Sequence, residues 1–502
     1  MHHWIHAAVN YQINLRALAA REPRNPFEAT EETPLADSAL AYSTRRLPAL
    51  KKLGVTILHL MPPFSIGIEG RKGIGSPYAV RDFRTVDAEY GTTDELAALV
   101  RAAHELGLKV ILGMVPNHTS RDHVWVQEHP EFYVRNGDGS IAYDADWHDT
   151  AKLDYRTPGL RRAMLDLYDY WLSFLGEGSG GHPDGVDGFR IDMAHLINDL
   201  GFWNEALEEL KSKHASRELL FLAECYGMKH NLDLFQRGMN AAYDDDFYKI
   251  MLYFYGVDDS GNTLLLPNRK HAQRNDLFRD IYAAFKRGGL AGAAEKALMN
   301  YEEHLPGTER DPILARYTDN HDEGRGLYRF GEGAVKAMNR LLFFSAHCLP
   351  FLLAGQEFGA LNRPPIHERI QPCEKGCRIR TNAKVKTRDG VEFEGNLFAR
   401  TYEKRREWYA FYQDLIAVRC ANPALTHGTF RPLDVGEASA ASRRTVVGFT
   451  RVYEGQTLHG AVNIGPEPRR LRRVSGLTGK PLYGALNGDI LQPFEAVLVQ
   501  RA

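Results

Sequence analysis

An arginine and an aspartate stand two residues apart at the end of an apolar stretch, in the segment GFRIDMAH at 188–195. The apolar residues there favour a buried strand, on which Arg190 and Asp192 point to the same face. A carboxylate held beside a guanidinium stays ionised, which suits a nucleophile. The other interpretation is a structural ion pair that caps the strand, and this segment alone does not separate the two.

Three further apolar stretches end in polar side chains of the same kind. The residues at these strand ends are Asn117 and His118, then Glu224, and then Asn320, His321 and Asp322. The carboxyl ends of parallel barrel strands meet at one face, so three carboxylates, two imidazoles and an arginine would converge there. A single polar strand end is a cap, but four together favour an active site.

Carboxyl groups in different surroundings are what glycoside hydrolysis requires. Asp192, beside Arg190, suits the group that attacks the anomeric carbon. Glu224 ends an apolar stretch, and burial there would let it hold a proton near neutral pH and give it to the leaving oxygen. Asp322 is suited to orient sugar hydroxyls and to stabilise positive charge in the transition state.

Aromatic and imidazole side chains near these strand ends suit sugar binding. His118 and His321 can donate hydrogen bonds to sugar oxygens, and Tyr78 in the segment GSPY offers a flat face to a pyranose ring. A lone tyrosine fits a core or a surface equally well. The assignment of Tyr78 therefore depends on the rest of the pattern.

The chain must supply the strands that bring these residues together. Near-continuous apolar stretches alternate with amphipathic helices, which indicates a parallel sheet covered by helices. Eight strand–helix units predict a closed (β/α)8 TIM barrel, an α/β fold. The predicted strands lie near 9–13, 55–61, 109–115, 186–192, 219–224, 241–246, 315–319 and 350–354.

The regular alternation is interrupted once and then replaced near the C-terminus. Residues 119–158 are polar, aromatic and loop-like, which predicts a subdomain inserted after strand 3. Residues 426–502 contain short strands separated by Gly, Asn and Pro, which predicts an antiparallel β-sandwich. The catalytic barrel would then comprise residues 1–118 and 159–425.

These motifs resemble those of glycoside hydrolase family 13, the α-amylase family. The matching segments, in the family's order, are VPNH at 115–118, GFRID at 188–192, Glu224 and NHD at 320–322. The resemblance implies a retaining double displacement on α-glucosidic bonds, with Asp192 as nucleophile, Glu224 as acid/base and Asp322 as transition-state stabiliser. It also implies that the substrate-binding residues are Tyr78, His118, Arg190 and His321.

The chain departs from the family pattern at two places. Gly113 stands where an Asp usually precedes the first motif, and His195 and Leu196 stand where many amylases have a Lys-His pair. Asn117 and the backbone near His195 could still meet the calcium that often holds the insert in place, but one expected carboxylate is missing. We therefore expect no required cofactor, and calcium binding stays open.

Composition limits the possible partners. The formal net charge is −2, from 62 basic and 64 acidic residues, so neither nucleic acid nor a membrane is expected as a partner. No apolar run is long enough to span a bilayer. Five cysteines and the absence of a leader-like start predict a cytoplasmic protein. The oligomeric state is not predicted.

Three functions remain open at this stage. The first is hydrolysis of α-1,4-glucans or maltooligosaccharides. The second is transglycosylation or isomerisation through the same glycosyl-enzyme intermediate, with a sugar as acceptor; the stretches 255–310 and 360–398 would decide between these two. The third is a non-catalytic carbohydrate-binding protein that kept the fold, which the intact carboxylate set disfavours.

Overall fold

Eight parallel strands form a closed barrel in which consecutive strands are neighbours, in the order β1-β8-β7-β6-β5-β4-β3-β2. The strands are β1 Asn10–Ile13, β2 Ile57–Leu60, β3 Lys109–Met114, β4 Gly188–Ile191, β5 Leu220–Ala223, β6 Ala241–Tyr243, β7 Ile313–Tyr317 and β8 Cys348–Leu353. Nearly every strand residue is buried, as expected for strands covered on both faces. The predicted TIM barrel is confirmed.

The structure is a computed structural model of the full chain. It describes residues 4–19, 38–178, 181–255, 276–302, 304–305, 311–361, 363, 366–367, 385–386, 392–393 and 402–501. Much of the two stretches that we expected to choose the acceptor, 255–310 and 360–398, lies outside the described residues.

Amphipathic helices follow most of the barrel strands. The longer ones are α1 Ala39–Leu53, α2 Thr93–Glu105, α3 Pro158–Ser173, α4 Gly201–Lys213, α5 Met228–Gln236, α6 Asp245–Tyr255, α7 Asp276–Met299, α8 Glu332–Phe344 and α9 Tyr402–Ala421. Helix α2 shows why such segments form: Thr92 and Glu95 make reciprocal hydrogen bonds at its start. Shorter helical segments are Leu15–Ala19, Val124–Glu128, Gly326–Phe330 and Pro423–Thr426.

The chain between β3 and α3 forms a small insert. Its strands His118–Ser120 and Thr150–Lys152 pair in antiparallel fashion, with His118 opposite Lys152. The short helix Val124–Glu128 lies between them. Other two-stranded ribbons are Phe64–Ile66 with Val80–Val86, Gly176–Glu177 with Pro183–Asp184, and Val385–Lys386 with Glu392–Phe393.

The C-terminal region is antiparallel, as predicted. Its strands are β9 Thr429–Pro432, β10 Val446–Tyr453, β11 Gln456–Asn463, β12 Arg469–Arg470, β13 Lys480–Gly484, β14 Ile490–Leu491 and β15 Ala496–Gln500. Five of them form a sheet in the order β9-β10-β11-β15-β13, and β12 pairs with β14. Leu471 and Leu491, beside and within the small pair, share an apolar core with Val446, Ala461 and Val497 of the larger sheet.

The chain divides into two compact units. The first comprises residues 10–243 and 364–379, and carries β1 to β6 with the insert. The second comprises residues 1–9, 244–363 and 380–502, and carries β7, β8 and the C-terminal sheet. The predicted boundaries at 118/119, 158/159 and 425/426 stay predictions. Among the described residues, none of the helices combines the length and apolar character needed to cross a bilayer.

Candidate active site

A single guanidinium links the two carboxylates that follow β4 and β5. Arg190 Nη1 donates to Asp192 Oδ1 at 2.8 Å, and Arg190 Nη2 forms an ion pair of 2.7 Å with Glu224 Oε1. The register pairs Ile191 with Ala223, so the next residues on the two strands, Asp192 and Glu224, lie level with each other. Both carboxylates are almost fully buried. This arrangement keeps them close together at the carboxyl ends of their strands.

Arg190 keeps its charge although it is buried. Burial opposes the cation, but Glu224 and, to a smaller extent, Tyr78, Tyr243 and Asp192 raise the pKa of Arg190. The guanidinium carbon lies 5.4 Å from the ring centroid of Tyr78 and 5.5 Å from that of Tyr243. Arg190 is therefore a fixed positive charge between two carboxylates and two aromatic rings.

Glu224 receives two further donors. The backbone N–H of Met193 donates to Oε2 at 3.0 Å, and the hydroxyl of Tyr226 donates to Oε1 at 2.9 Å. Met193 has a φ of 42°, in the left-handed region that non-glycine residues rarely adopt. This strained turn, directly after Asp192, aims the Met193 N–H at the neighbouring carboxylate.

His118 lies beside the same tyrosine that faces Arg190. Its ring hydrogen-bonds with the backbone of Tyr78, and its ring centroid is 5.4 Å from that of Trp147 in the insert. Burial lowers the pKa of His118 to about 4, against the opposing effect of Asp144 and Asp149. The imidazole is thus neutral at neutral pH and has one N–H to donate.

The contacts around Asn117 show whether this region fits the calcium ion that the family resemblance implies. Asn117 Nδ2 donates to Asp144 Oδ2 at 2.9 Å, and Lys152 Nζ lies 2.6 and 2.8 Å from the two oxygens of Asp144. Burial acts to raise the pKa of Asp144, but hydrogen bonds from Asn117 and Lys152 lower it. Calcium needs six to eight oxygen ligands. Here an ammonium already neutralises the carboxylate.

Other observations also speak against a divalent cation there. Two buried acceptors, Asn117 Oδ1 and Asp149 Oδ2, have no donor among the described residues, but two oxygens are far fewer than calcium requires. Within the described residues, no group of three or more His, Cys, Asp or Glu side chains could hold a metal ion. The residues around Asn117 do not fit calcium.

The two departures from the family pattern have structural counterparts. A Cβ at Gly113 would lie 2.7 Å from Pro62 Cδ and 2.9 Å from Pro62 N, so an aspartate does not fit at this position without displacing the backbone. His195 packs its ring 5.1 Å from His230 and 6.2 Å from Tyr226, centroid to centroid. His195 thus belongs to an aromatic group beside Glu224.

His321 and Asp322 follow β7 within the second compact unit. His321 Nε2 lies 3.1 Å from Asp322 Oδ2, and His321 is almost fully buried whereas the Asp322 side chain is 41% exposed. The backbone N–H groups of Asp322 and Glu323 donate to Asn320 Oδ1 at 2.9 and 2.8 Å. Asn320 therefore orders the turn that presents Asp322 to solvent.

Sequence reasoning missed three side chains that contact the candidate residues. Tyr243 ends β6 and accepts a hydrogen bond from Arg190 Nε at 3.3 Å. Trp147 packs on His118. Tyr226 could have been found, because it follows Glu224 by two residues, the same spacing that links Arg190 to Asp192.

A closed parallel barrel with two linked carboxylates at its strand ends is typical of glycoside hydrolases. A family model, the alpha-amylase catalytic domain, matches residues 39–138 and 143–397. The chain therefore belongs to the alpha-amylase family, a class of glycoside hydrolases, and the predicted membership is confirmed.

Curated proteins from bacteria and archaea are similar to this chain in sequence. The chain is 24% identical over 499 residues to alpha-amylase MalA of Haloarcula japonica, covering 97% of this chain and 60% of that protein. It is 32% identical over 194 residues to an alpha-1,4-glucan:maltose-1-phosphate maltosyltransferase of Bifidobacterium longum, covering 34% of this chain and 24% of that protein. The chain thus spans less than two thirds of the length of these relatives.

Solved structures show the same fold. An alpha-amylase from Lactobacillus plantarum superposes with a TM-score of 0.68 at 24% identity, over 99% of both chains. The acarbose-soaked debranching enzyme of Nostoc punctiforme superposes with a TM-score of 0.68 at 18% identity, over 100% of this chain and 99% of that chain.

Proposed function

We propose that this protein is a retaining α-glycosidase that hydrolyses α-1,4-glucans or maltooligosaccharides through a covalent glycosyl-enzyme intermediate. The observation that supports this most is the guanidinium of Arg190, which pairs with Asp192 at 2.8 Å and with Glu224 at 2.7 Å. Retaining enzymes need two carboxyl groups about 5 Å apart. The contact of both carboxylates with one guanidinium supports such a short separation.

The proposed mechanism has two steps. In the first, Asp192 attacks the anomeric carbon while protonated Glu224 gives its proton to the departing oxygen. In the second, ionised Glu224 removes a proton from water, and the resulting hydroxide displaces Asp192. Asp322, after β7, would stabilise the positive charge that develops on the sugar ring in both steps.

The remaining candidate residues would bind the ring under attack. Tyr78 would stack on the sugar, and His118, held neutral by burial, would contact a sugar oxygen. Arg190 would orient Asp192 through its hydrogen bond of 2.8 Å, and His321 would contact the ring from beside Asp322. Cys348 and Cys420 are free thiols, which favours a cytoplasmic location for this activity.

Glycosyl transfer to a sugar acceptor is the second candidate. It is favoured by the match to a maltosyltransferase at 32% identity, which is higher than the 24% identity to the Haloarcula amylase but covers a shorter region. Both reactions share the first step and differ only in whether water or a sugar hydroxyl attacks the intermediate.

A product profile on maltoheptaose tests the proposal and separates the two candidates. Hydrolysis predicts only shorter products, with one new reducing end for each bond cleaved. Added glucose should not change that ratio. Longer oligosaccharides without a net rise in reducing ends would favour the transferase. Proton NMR of the first product should show the α anomer, and a β anomer would contradict the double displacement.

A further inference from the structure

The groups that contact Glu224 differ in whether they can only donate a hydrogen bond or can also accept one. Arg190 and the backbone N–H of Met193 can only donate hydrogen bonds, so both stabilise the ionised carboxylate. Tyr226 contacts Oε1 at 2.9 Å through a hydroxyl, which can either donate or accept. Of the two groups that contact Oε1, Arg190 and Tyr226, only Tyr226 can also accept a hydrogen bond when Oε1 carries the proton.

The proposed function makes Glu224 an acid/base residue, which must alternate between the carboxylic acid and the carboxylate. It carries a proton in the first step and is ionised in the second. With Glu224 ionised, the Tyr226 hydroxyl donates to Oε1. With a proton on Oε1, the hydroxyl rotates about its C–O bond and accepts that proton as a hydrogen bond.

We propose that Tyr226 is a positioning residue for the acid/base Glu224, whose hydroxyl holds the carboxyl group in place in both protonation states. This rests on the proposed function. The ring has its own support, because it packs edge-on against His195 at 6.2 Å, centroid to centroid. Removal of the hydroxyl alone therefore leaves the position of the ring intact.

Other ionisable groups around Glu224 do not replace this contact. Within the described part of the first compact unit, the ionisable side chains near Glu224 include Arg190, with Asp192 bound to it, and His195, with His230 beside His195. Burial, and then the neighbouring His230, lower the pKa of His195 against the opposing charge of Glu224. At neutral pH the fixed positive charge is therefore Arg190, which is present in the wild type and in a Tyr226 variant alike.

Tyr226→Phe tests this assignment with two substrates. Maltotriose has a sugar leaving group that must be protonated, whereas α-maltosyl fluoride releases fluoride, which needs little help from an acid. We expect kcat/KM for maltotriose to fall about tenfold, and kcat/KM for the fluoride to change less than about twofold. The basic limb of the maltotriose pH profile should move to higher pH by about half a unit or more, because the ionised carboxylate loses a donor.

Tyr133→Phe is the matched control. Tyr133 is also a buried tyrosine, and its hydroxyl is 3.0 Å from Thr119 Oγ1 instead of a carboxylate. This variant should leave both substrates and the pH profile unchanged. Equal losses on both substrates with Tyr226→Phe, or an unmoved basic limb, would overturn the positioning role. If the wild type cleaves neither substrate, the proposed function fails first and the inference falls with it.

Discussion

The guanidinium of Arg190 touches residues that come from three different strands. It pairs with Asp192 on its own strand, with Glu224 after β5 and with Tyr243 at the end of β6. The first contact follows from strand geometry, since residues two apart share a face. The other two depend on which strands are neighbours. Arg190 thus joins the ends of three neighbouring strands.

Asp192→Asn should abolish turnover of maltooligosaccharides. The amide keeps the size of the side chain but cannot attack the anomeric carbon, so we expect kcat/KM to fall by about a thousandfold or more. Asp169→Asn, on α3, is the control, because Asp169 pairs with Lys213 and His214 at 2.5 and 2.9 Å and lies outside the candidate site. Retained activity in Asp192→Asn would remove the nucleophile assignment.

At the scale of single elements, the insert depends on a neutral histidine. His123 begins the helix Val124–Glu128, and its Nδ1 accepts a hydrogen bond from the backbone N–H of Trp125 at 3.0 Å. Burial lowers the pKa of His123 from 6.5 to about 4. As the pH falls, His123 is therefore protonated in the unfolded chain before it is protonated in the folded protein. The stability that the neutral imidazole contributes is complete above pH 6.5 and is lost as the pH falls towards 4.

His123→Asn should weaken the dependence of stability on pH. Asn is also a favourable residue at a helix N-terminus, and it does not titrate. Between pH 7 and 4 the variant should lose about 3 kcal/mol less unfolding free energy than the wild type. Urea denaturation at several pH values measures this difference. His118 titrates in both proteins, so it does not contribute to the difference between them. Equal slopes of unfolding free energy against pH would contradict the prediction.

A second prediction for the insert follows from the ion pair between Lys152 and Asp144. A chelator should change the melting temperature by less than about 1 °C, because the charge of Asp144 is already balanced by an ammonium. Lys152→Met should destabilise the protein by about 1 kcal/mol, whereas Lys72→Met, at a more exposed pair with Asp146, should have little effect. A large drop with chelator that calcium reverses would overturn this prediction.

At the scale of the whole chain, Arg419 joins segments that are far apart in sequence. This fully buried residue of α9 donates to the backbone carbonyls of Phe343 and Leu425 at 2.9 Å, Cys348 at 2.6 Å and His6 at 3.1 Å. All five residues belong to the second compact unit. The fold of this unit thus includes contacts between the first residues described and a helix more than four hundred positions later.

Arg419→Met should destabilise the protein strongly. It leaves several buried carbonyl groups without a donor, at a cost of about 3–5 kcal/mol in unfolding free energy. Arg406→Met, at an exposed position on the same helix, should cost less than about 0.5 kcal/mol. Chemical denaturation followed by circular dichroism measures both. Similar values for the two variants would show that the buried hydrogen bonds contribute little.

The sequence by itself determined the number and order of the barrel strands and the pair formed by Arg190 and Asp192. Both follow from local rules: hydrophobic periodicity and the alternation of side chains along a strand. Those rules act within a few residues and can be read from one stretch of chain at a time.

Only the tertiary structure decided which residues complete the candidate site. The contact between Arg190 and Tyr243 and the tilted packing of Trp147 against His118 join residues 53 and 29 positions apart. The ion pair between Lys152 and Asp144 likewise depends on the register of the ribbon that brings Lys152 opposite His118. Register and strand neighbours arise from pairing between distant segments, and no periodicity within one segment encodes them.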